Sequence, residues 1–191
     1  GSDRVFCIGG MILQPRKSFP ILRKRCENLS NPVITYFGYG SNLNSEDWKQ
    51  FCSNEGFESK GLREICKARL PNYSLIFHQD SISRKGGVAD IVEMEGKCVY
   101  GALFEMDAHA REAMDEKEGV RFNTYQPIWI EVRTFEDEIV KALTYVTTTR
   151  KRKNHFVAPT EEYVDLIRIG LLERGLPTEN LDFASRGENF V

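Results

Sequence analysis

The chain has 191 residues, 41% of them hydrophobic, and a formal net charge of −2. That length supports one domain with a good-sized core, and the near-balanced charge gives nucleic acid and anionic membrane no electrostatic hold as main partners. No uninterrupted apolar run approaches the roughly 18 residues that a membrane-crossing helix requires.

Residues 1–32 carry the basic clusters Arg16-Lys17 and Arg23-Lys24-Arg25 together with Pro15, Pro20 and Pro32. They read as an N-terminal extension, with a short helix near Ile21–Asn28, ahead of a domain over residues 33–191. From Val33 onward strand-like runs recur at Val33–Phe37, Tyr73–His78, Gly87–Val92, Cys98–Met106, Tyr125–Thr134 and Ile139–Thr147. Several alternate apolar and polar residues, as in Ile128-Trp129-Ile130-Glu131-Val132-Arg133, which suits a sheet with one wet face. Too few helical segments separate the runs for a βαβ parallel sheet. The pattern predicts an α+β fold: a small mixed, mainly antiparallel β-barrel flanked by helices.

Three helices are expected. The first runs from about Ser45 to Cys52. The second starts at the N-cap Asp107 and runs to Glu118, with Gly119 supplying a left-handed C′ position. The third begins near Pro159-Thr160, buries Val164, Ile167, Leu171 and Leu172, and stops by Gly175 and Pro177. Asp115, Glu116 and Glu118 crowd the end of the second helix, where the macrodipole is negative. A carboxylate there should have a raised pKa, more so if partly buried, and that suits a general acid/base working near neutral pH.

The segment Tyr36-Phe37-Gly38-Tyr39-Gly40-Ser41-Asn42-Leu43 joins the first strand to the first helix start, Asn44-Ser45-Glu46-Asp47-Trp48. A turn of this kind leaves several backbone N–H groups open to anions or carbonyl oxygens. It has two glycines of a dinucleotide fingerprint, but Leu43 occupies the third position and no βαβ unit follows. Ser41 is outside any G-x-S-x-G elbow, so it reads as a structural hydrogen-bonding residue rather than a nucleophile. His78, His109 and His155 lie far apart without metal-ligand spacing. The five cysteines are odd in number and none forms a C-x-x-C pair, which fits a reduced, cytoplasmic setting and no zinc or dithiol site. The run Arg150-Lys151-Arg152-Lys153 reads as a solvated loop, with nucleic acid or an acidic partner as the sharper alternative.

Read together, these segments resemble the γ-glutamylcyclotransferase family. The resemblance rests on Tyr36–Leu43, Met114-Asp115-Glu116-Lys117-Glu118-Gly119-Val120, Ala68-Arg69-Leu70, Gly86-Gly87-Val88-Ala89-Asp90-Ile91 and Ala158-Pro159-Thr160-Glu161-Glu162-Tyr163. It spans roughly Val33 to Pro177, in order. It implies a small mixed barrel and an enzyme that needs neither metal nor cofactor. It further implies that Glu118 is the catalytic glutamate. Tyr36, Phe37, Gly38, Tyr39, Gly40, Ser41 and Asn42 would hold the γ-glutamyl group of a small-molecule substrate, with Tyr125 and Tyr163 at the pocket. Relatives of this kind also allow a homodimer. Departures from the pattern are Gly38, where alanine is frequent, the basic run before Tyr163 and the N-terminal extension.

The implied reaction explains these residue types. A γ-glutamyl amide carries its own nucleophile, the α-amino group, which closes on the γ-carbonyl carbon to give 5-oxoproline and expels an amine. A carboxylate takes the ammonium proton and returns it to the leaving nitrogen, backbone N–H groups steady the oxyanion, and the pocket enforces the folded conformer. The substrate would be a γ-glutamyl amino acid, glutathione, a γ-glutamylamine or a biosynthetic intermediate. The alternative class is a non-catalytic binding or regulatory protein on the same fold.

Overall fold

A computed structural model describes residues 32–189; the extension and its expected helix near Ile21–Asn28 lie, but for Pro32, outside them. Among the described residues there are five strands: β1 (Ile34–Gly38), β2 (Leu62–Ser81), β3 (Gly86–Met106), β4 (Tyr125–Thr134) and β5 (Ile139–Thr147). They close into a barrel in the order β1-β3-β2-β4-β5. All neighbours are antiparallel except β1 and β5, which complete the circle in parallel with Tyr36 opposite Leu143. This is the mixed, mainly antiparallel barrel expected from the pattern.

Alternation explains the barrel wall. Along β4, Ile130, Val132 and Thr134 are buried while Trp129, Glu131 and Arg133 face out, as the period of two requires. Inside, Phe37, Leu70, Ala102, Met106, Val132 and Ala142 form part of one continuous core. The runs expected at Gly87–Val92 and Cys98–Met106 are parts of one strand. The ladder between β2 and β3 shifts register between Pro71 and Tyr73 without ending. Asn72 and Gly96 both adopt positive φ there (61° and 75°), and the Asn72 side chain accepts from the Gly96 N–H at 3.1 Å. A bulge therefore bends the ribbon instead of breaking it.

The helices are α1 (Ser45–Glu55), α2 (Ala108–Lys117), α3 (Glu161–Leu172) and the short α4 (Glu179–Ser185). The first three start at side-chain caps. Asn44 accepts from Glu46 and Asp47, Asp107 from Ala110, and Thr160 from Tyr163. Gly56 and Gly119 end α1 and α2 in the left-handed region. Tyr163, Val164, Ile167, Gly170 and Leu171 form the buried stripe of α3, while Leu172, expected with them, ends the helix on its exposed side. A Cβ on Gly170 would meet Leu43 at 2.6 Å, so only glycine lets α3 rest on the turn that follows β1. Among the described residues no helix is long and apolar enough to cross a membrane.

Candidate active site

The turn after β1 enters a short 3-10 turn, Ser41–Leu43, in which Leu43 N–H bonds to the Gly40 carbonyl at 3.0 Å and Asn44 N–H to that of Ser41 at 2.9 Å. The N–H groups of Gly40, Ser41 and Asn42 find no acceptor among the described residues. These three residues line a pocket of about 320 Å³, its mouth included, together with Tyr36, Tyr39, Ala89, Glu118, Tyr125, Tyr145 and Tyr163.

Glu118 is the residue that caps the C-terminus of α2, with Gly119 at φ 61° immediately after it. Its backbone is held on both sides, N–H to the Met114 carbonyl and carbonyl to the Tyr125 N–H. That leaves the side chain free to turn inward, where the Asn42 amide donates to its Oε1 at 2.7 Å. The other acidic residues of this helix end turn elsewhere: Asp115 takes bonds from Arg111 and Tyr145, and Glu116 pairs with Arg121.

The expected upward shift of Glu118 is present, and burial is its main cause. Glu118 is partly exposed as a residue, yet protein atoms crowd its carboxyl group and desolvation raises its pKa above the usual carboxylate range. The charge of Lys117, the Asn42 bond and the charge of Arg84 pull it back down, and Asp47 pushes it up.

Four tyrosine hydroxyls on the wall are tied into the fold. Tyr125 donates to the Ala89 carbonyl at 3.0 Å and Tyr163 accepts from the Ala89 N–H at 3.3 Å, so the Ala89 peptide is gripped from both sides. Tyr39 donates to the Tyr145 carbonyl at 2.6 Å, and Tyr36 accepts from Asn42 at 2.9 Å. Burial raises the pKa of Tyr36, Tyr39 and Tyr125, and pushes Tyr163 up to about 12. All four are therefore neutral hydroxyls at neutral pH.

Of the residues singled out from the sequence, Tyr36, Tyr39, Gly40, Ser41, Asn42, Glu118, Tyr125 and Tyr163 meet at this pocket. Phe37 and Gly38 do not line it. Phe37 is fully buried, and its carbonyl accepts from Thr144 at 2.8 Å; Gly38 backs onto Gly101. Ala89 and Tyr145 line the wall without having been singled out as site residues. Their strands place them there, and pairing register is not visible in an isolated segment. The basic run is solvated as expected, exposed at Arg150, Lys151 and Arg152 and half-buried at Lys153. It is anchored where Arg152 donates to the Thr147 carbonyl at 3.0 Å and the Lys153 backbone N–H to that of His78 at 2.8 Å. His78 is buried against Asp90 at 2.6 Å, whereas His109 and His155 are exposed.

Gly40 is where pocket and fold make different demands. A Cβ there would meet Ala89 Cβ at 3.7 Å and Tyr163 Oη at 3.9 Å, which are ordinary contacts. Gly40→Ala should therefore fold with an unchanged melting temperature while filling space beside the free N–H groups. We expect a raised KM for any substrate seated there; parent-like kinetics would show that this part of the pocket is unused.

Residues 98–183 match the model of the AIG2-like family. The chain is 32% identical over 151 residues to the γ-glutamylcyclotransferase of Mus musculus, which covers 77% of this chain and 74% of that protein. It is 29% identical over 161 residues to that of Homo sapiens, covering 81% and 80%. A solved γ-glutamyl cyclotransferase structure superposes with a TM-score of 0.69 at 27% identity, over 80% of this chain and 86% of that one. With pocket, barrel and whole-domain similarity in agreement, the chain belongs to the γ-glutamylcyclotransferase family.

Proposed function

We propose that the chain converts a γ-glutamyl amide to 5-oxoproline and a free amine, with Glu118 moving the proton. The observation that carries this reading is the juxtaposition of a desolvated, ionisable carboxylate with three unsatisfied backbone N–H groups in one small tyrosine-lined pocket.

The substrate enters with its α-ammonium toward Glu118 and its γ-carbonyl oxygen toward the Gly40–Asn42 turn. Glu118, its pKa raised by burial, takes a proton from the ammonium more readily than an exposed carboxylate would. The freed amine attacks the γ-carbonyl carbon, and the carbonyl electrons move onto oxygen, where the backbone N–H groups meet them. Collapse of the tetrahedral centre breaks the bond to the leaving nitrogen, which takes the proton from Glu118. The regenerated carboxylate then accepts the second proton from the ring nitrogen and passes it to the departing amine, so that the lactam leaves neutral and the amine as an ammonium. The neutral tyrosine wall adds no competing charge and holds the chain folded for ring closure.

The reaction involves a small-molecule substrate and no nucleic acid, membrane or cofactor. A cytoplasmic setting suits five cysteines without pair spacing. The test is a panel of γ-glutamyl amino acids, γ-glutamylamines and glutathione, with 5-oxoproline quantified. Release from at least one member is expected, and silence across the panel would count against the assignment.

A further inference from the structure

Lys117 precedes Glu118 on the chain, yet its ammonium is nearly buried: its side chain is 9% exposed. It donates to Asn42 Oδ1 at 2.8 Å and to Asp47 Oδ2 at 2.7 Å. Asp47, itself 11% exposed, also holds Arg84 Nη2 through both carboxylate oxygens, at 2.8 and 2.9 Å. A cation–carboxylate–cation chain thus runs from the β2–β3 turn through α1 to the end of α2, one amide away from Glu118.

The Asn42 amide has two chemically opposite ends. An ammonium donates and cannot accept, so whichever atom faces Lys117 must be the carbonyl oxygen. The NH2 group is then left for Tyr36 at 2.9 Å and for Glu118 at 2.7 Å. An NH2 group favours the ionised carboxylate; the reversed amide would present an oxygen and favour the protonated acid.

We propose that Lys117 is a positioning residue for the cyclisation, orienting the Asn42 amide so that Glu118 is held as an ionised proton acceptor. The inference rests on the reading of Glu118 as the general acid/base. The charged groups facing Glu118 are Lys117 at the end of its own helix, Arg84 from the β2–β3 turn and Asp47 from α1; Tyr36, Tyr39, Tyr125 and Tyr163 face it as neutral hydroxyls. Burial raises Glu118, Lys117 and Arg84 lower it and Asp47 raises it, so variants at the two ends of the Lys117–Asp47 pair act with opposite sign.

The experiment is the pH profile of kcat/KM for 5-oxoproline release, with a thermal melt for each variant. Lys117→Met should move the acidic limb to higher pH, losing on the order of tenfold at the acid end and recovering as the pH rises. Lys117→Arg, which keeps charge and donors, should restore the parent limb. Asp47→Asn should move the limb to lower pH, and it keeps the test alive if Lys117→Met does not fold. A parent-like limb in Lys117→Met, or a uniform loss in both variants without opposite shifts, would overturn the inference alone. Glu118→Gln separates the two ideas: if that variant keeps the parent profile, the reading of Glu118 falls and this inference with it.

Discussion

Glu118→Gln is expected to fold as the parent does and to release 5-oxoproline about 10²-fold more slowly or worse, the usual size of a general-base contribution. Glutamine preserves shape and the capping position at the end of α2, where the backbone bonds to Met114 and Tyr125 do not involve the side chain. It removes the ability to take a proton. The parent's acidic limb should lie above the ordinary carboxylate range, because burial raises the Glu118 pKa and protonation then disables the base at a higher pH. In Glu118→Gln the residual rate should lose that limb. A variant that cyclises at the parent rate would remove Glu118 from the chemistry.

Gly101→Ala is expected to destabilise the fold by about 1–3 kcal/mol, the usual cost of forcing an extra methyl into a packed site. The added Cβ would collide with the Gly38 carbonyl oxygen and meet the Phe37 ring at 2.8 Å. Backbone cannot step aside as a flexible side chain can. The melting temperature should fall by several degrees, at about 2–4 °C per kcal/mol for a domain of this size. The strain falls on Gly38, just ahead of the turn that carries the free N–H groups, so catalysis should weaken as well. The contrast with Gly40→Ala is the useful part: one glycine serves the barrel seam and the other serves the pocket. An unchanged melting temperature in Gly101→Ala would mean that β1 and β3 approach less closely than described.

Local chemistry made much of this legible from the sequence. Asp107 and Thr160 announced two helix starts through their caps, and β4 and β5 were bounded correctly because alternation and flanking turns are local signals. What was missed depends on partners distant in sequence. The first half of β2, Leu62-Arg63-Glu64-Ile65-Cys66-Lys67-Ala68-Arg69, is too polar to announce a strand; its ladder with Tyr100–Met106 of β3 makes it one. The bulge at Asn72 and Gly96 looked like a break between two strands. The seven-residue α4 carries too short a pattern to stand out.

The site divides the same way. The glycine turn and Glu118 were singled out by residue type and by resemblance, and the fold brings them within one hydrogen bond of each other. The helix-end position of Glu118 is a local signal, whereas the burial that raises its pKa is a tertiary fact. Lys117 escaped notice because a lysine beside an acidic helix end normally points to water. Only the approach of α1 supplies the Asp47 carboxylate that holds it inward.

Intramolecular cyclisation and hydrolysis differ in the identity of the nucleophile, which isotope labelling reads directly. The parent protein should be incubated with the γ-glutamyl panel in water enriched in ¹⁸O and the products weighed by mass spectrometry. Attack by the substrate's own α-amino group predicts 5-oxoproline free of ¹⁸O and no release from substrates whose α-amino group is acetylated. Labelled glutamate as the main product, or turnover of the acetylated compounds, would contradict it.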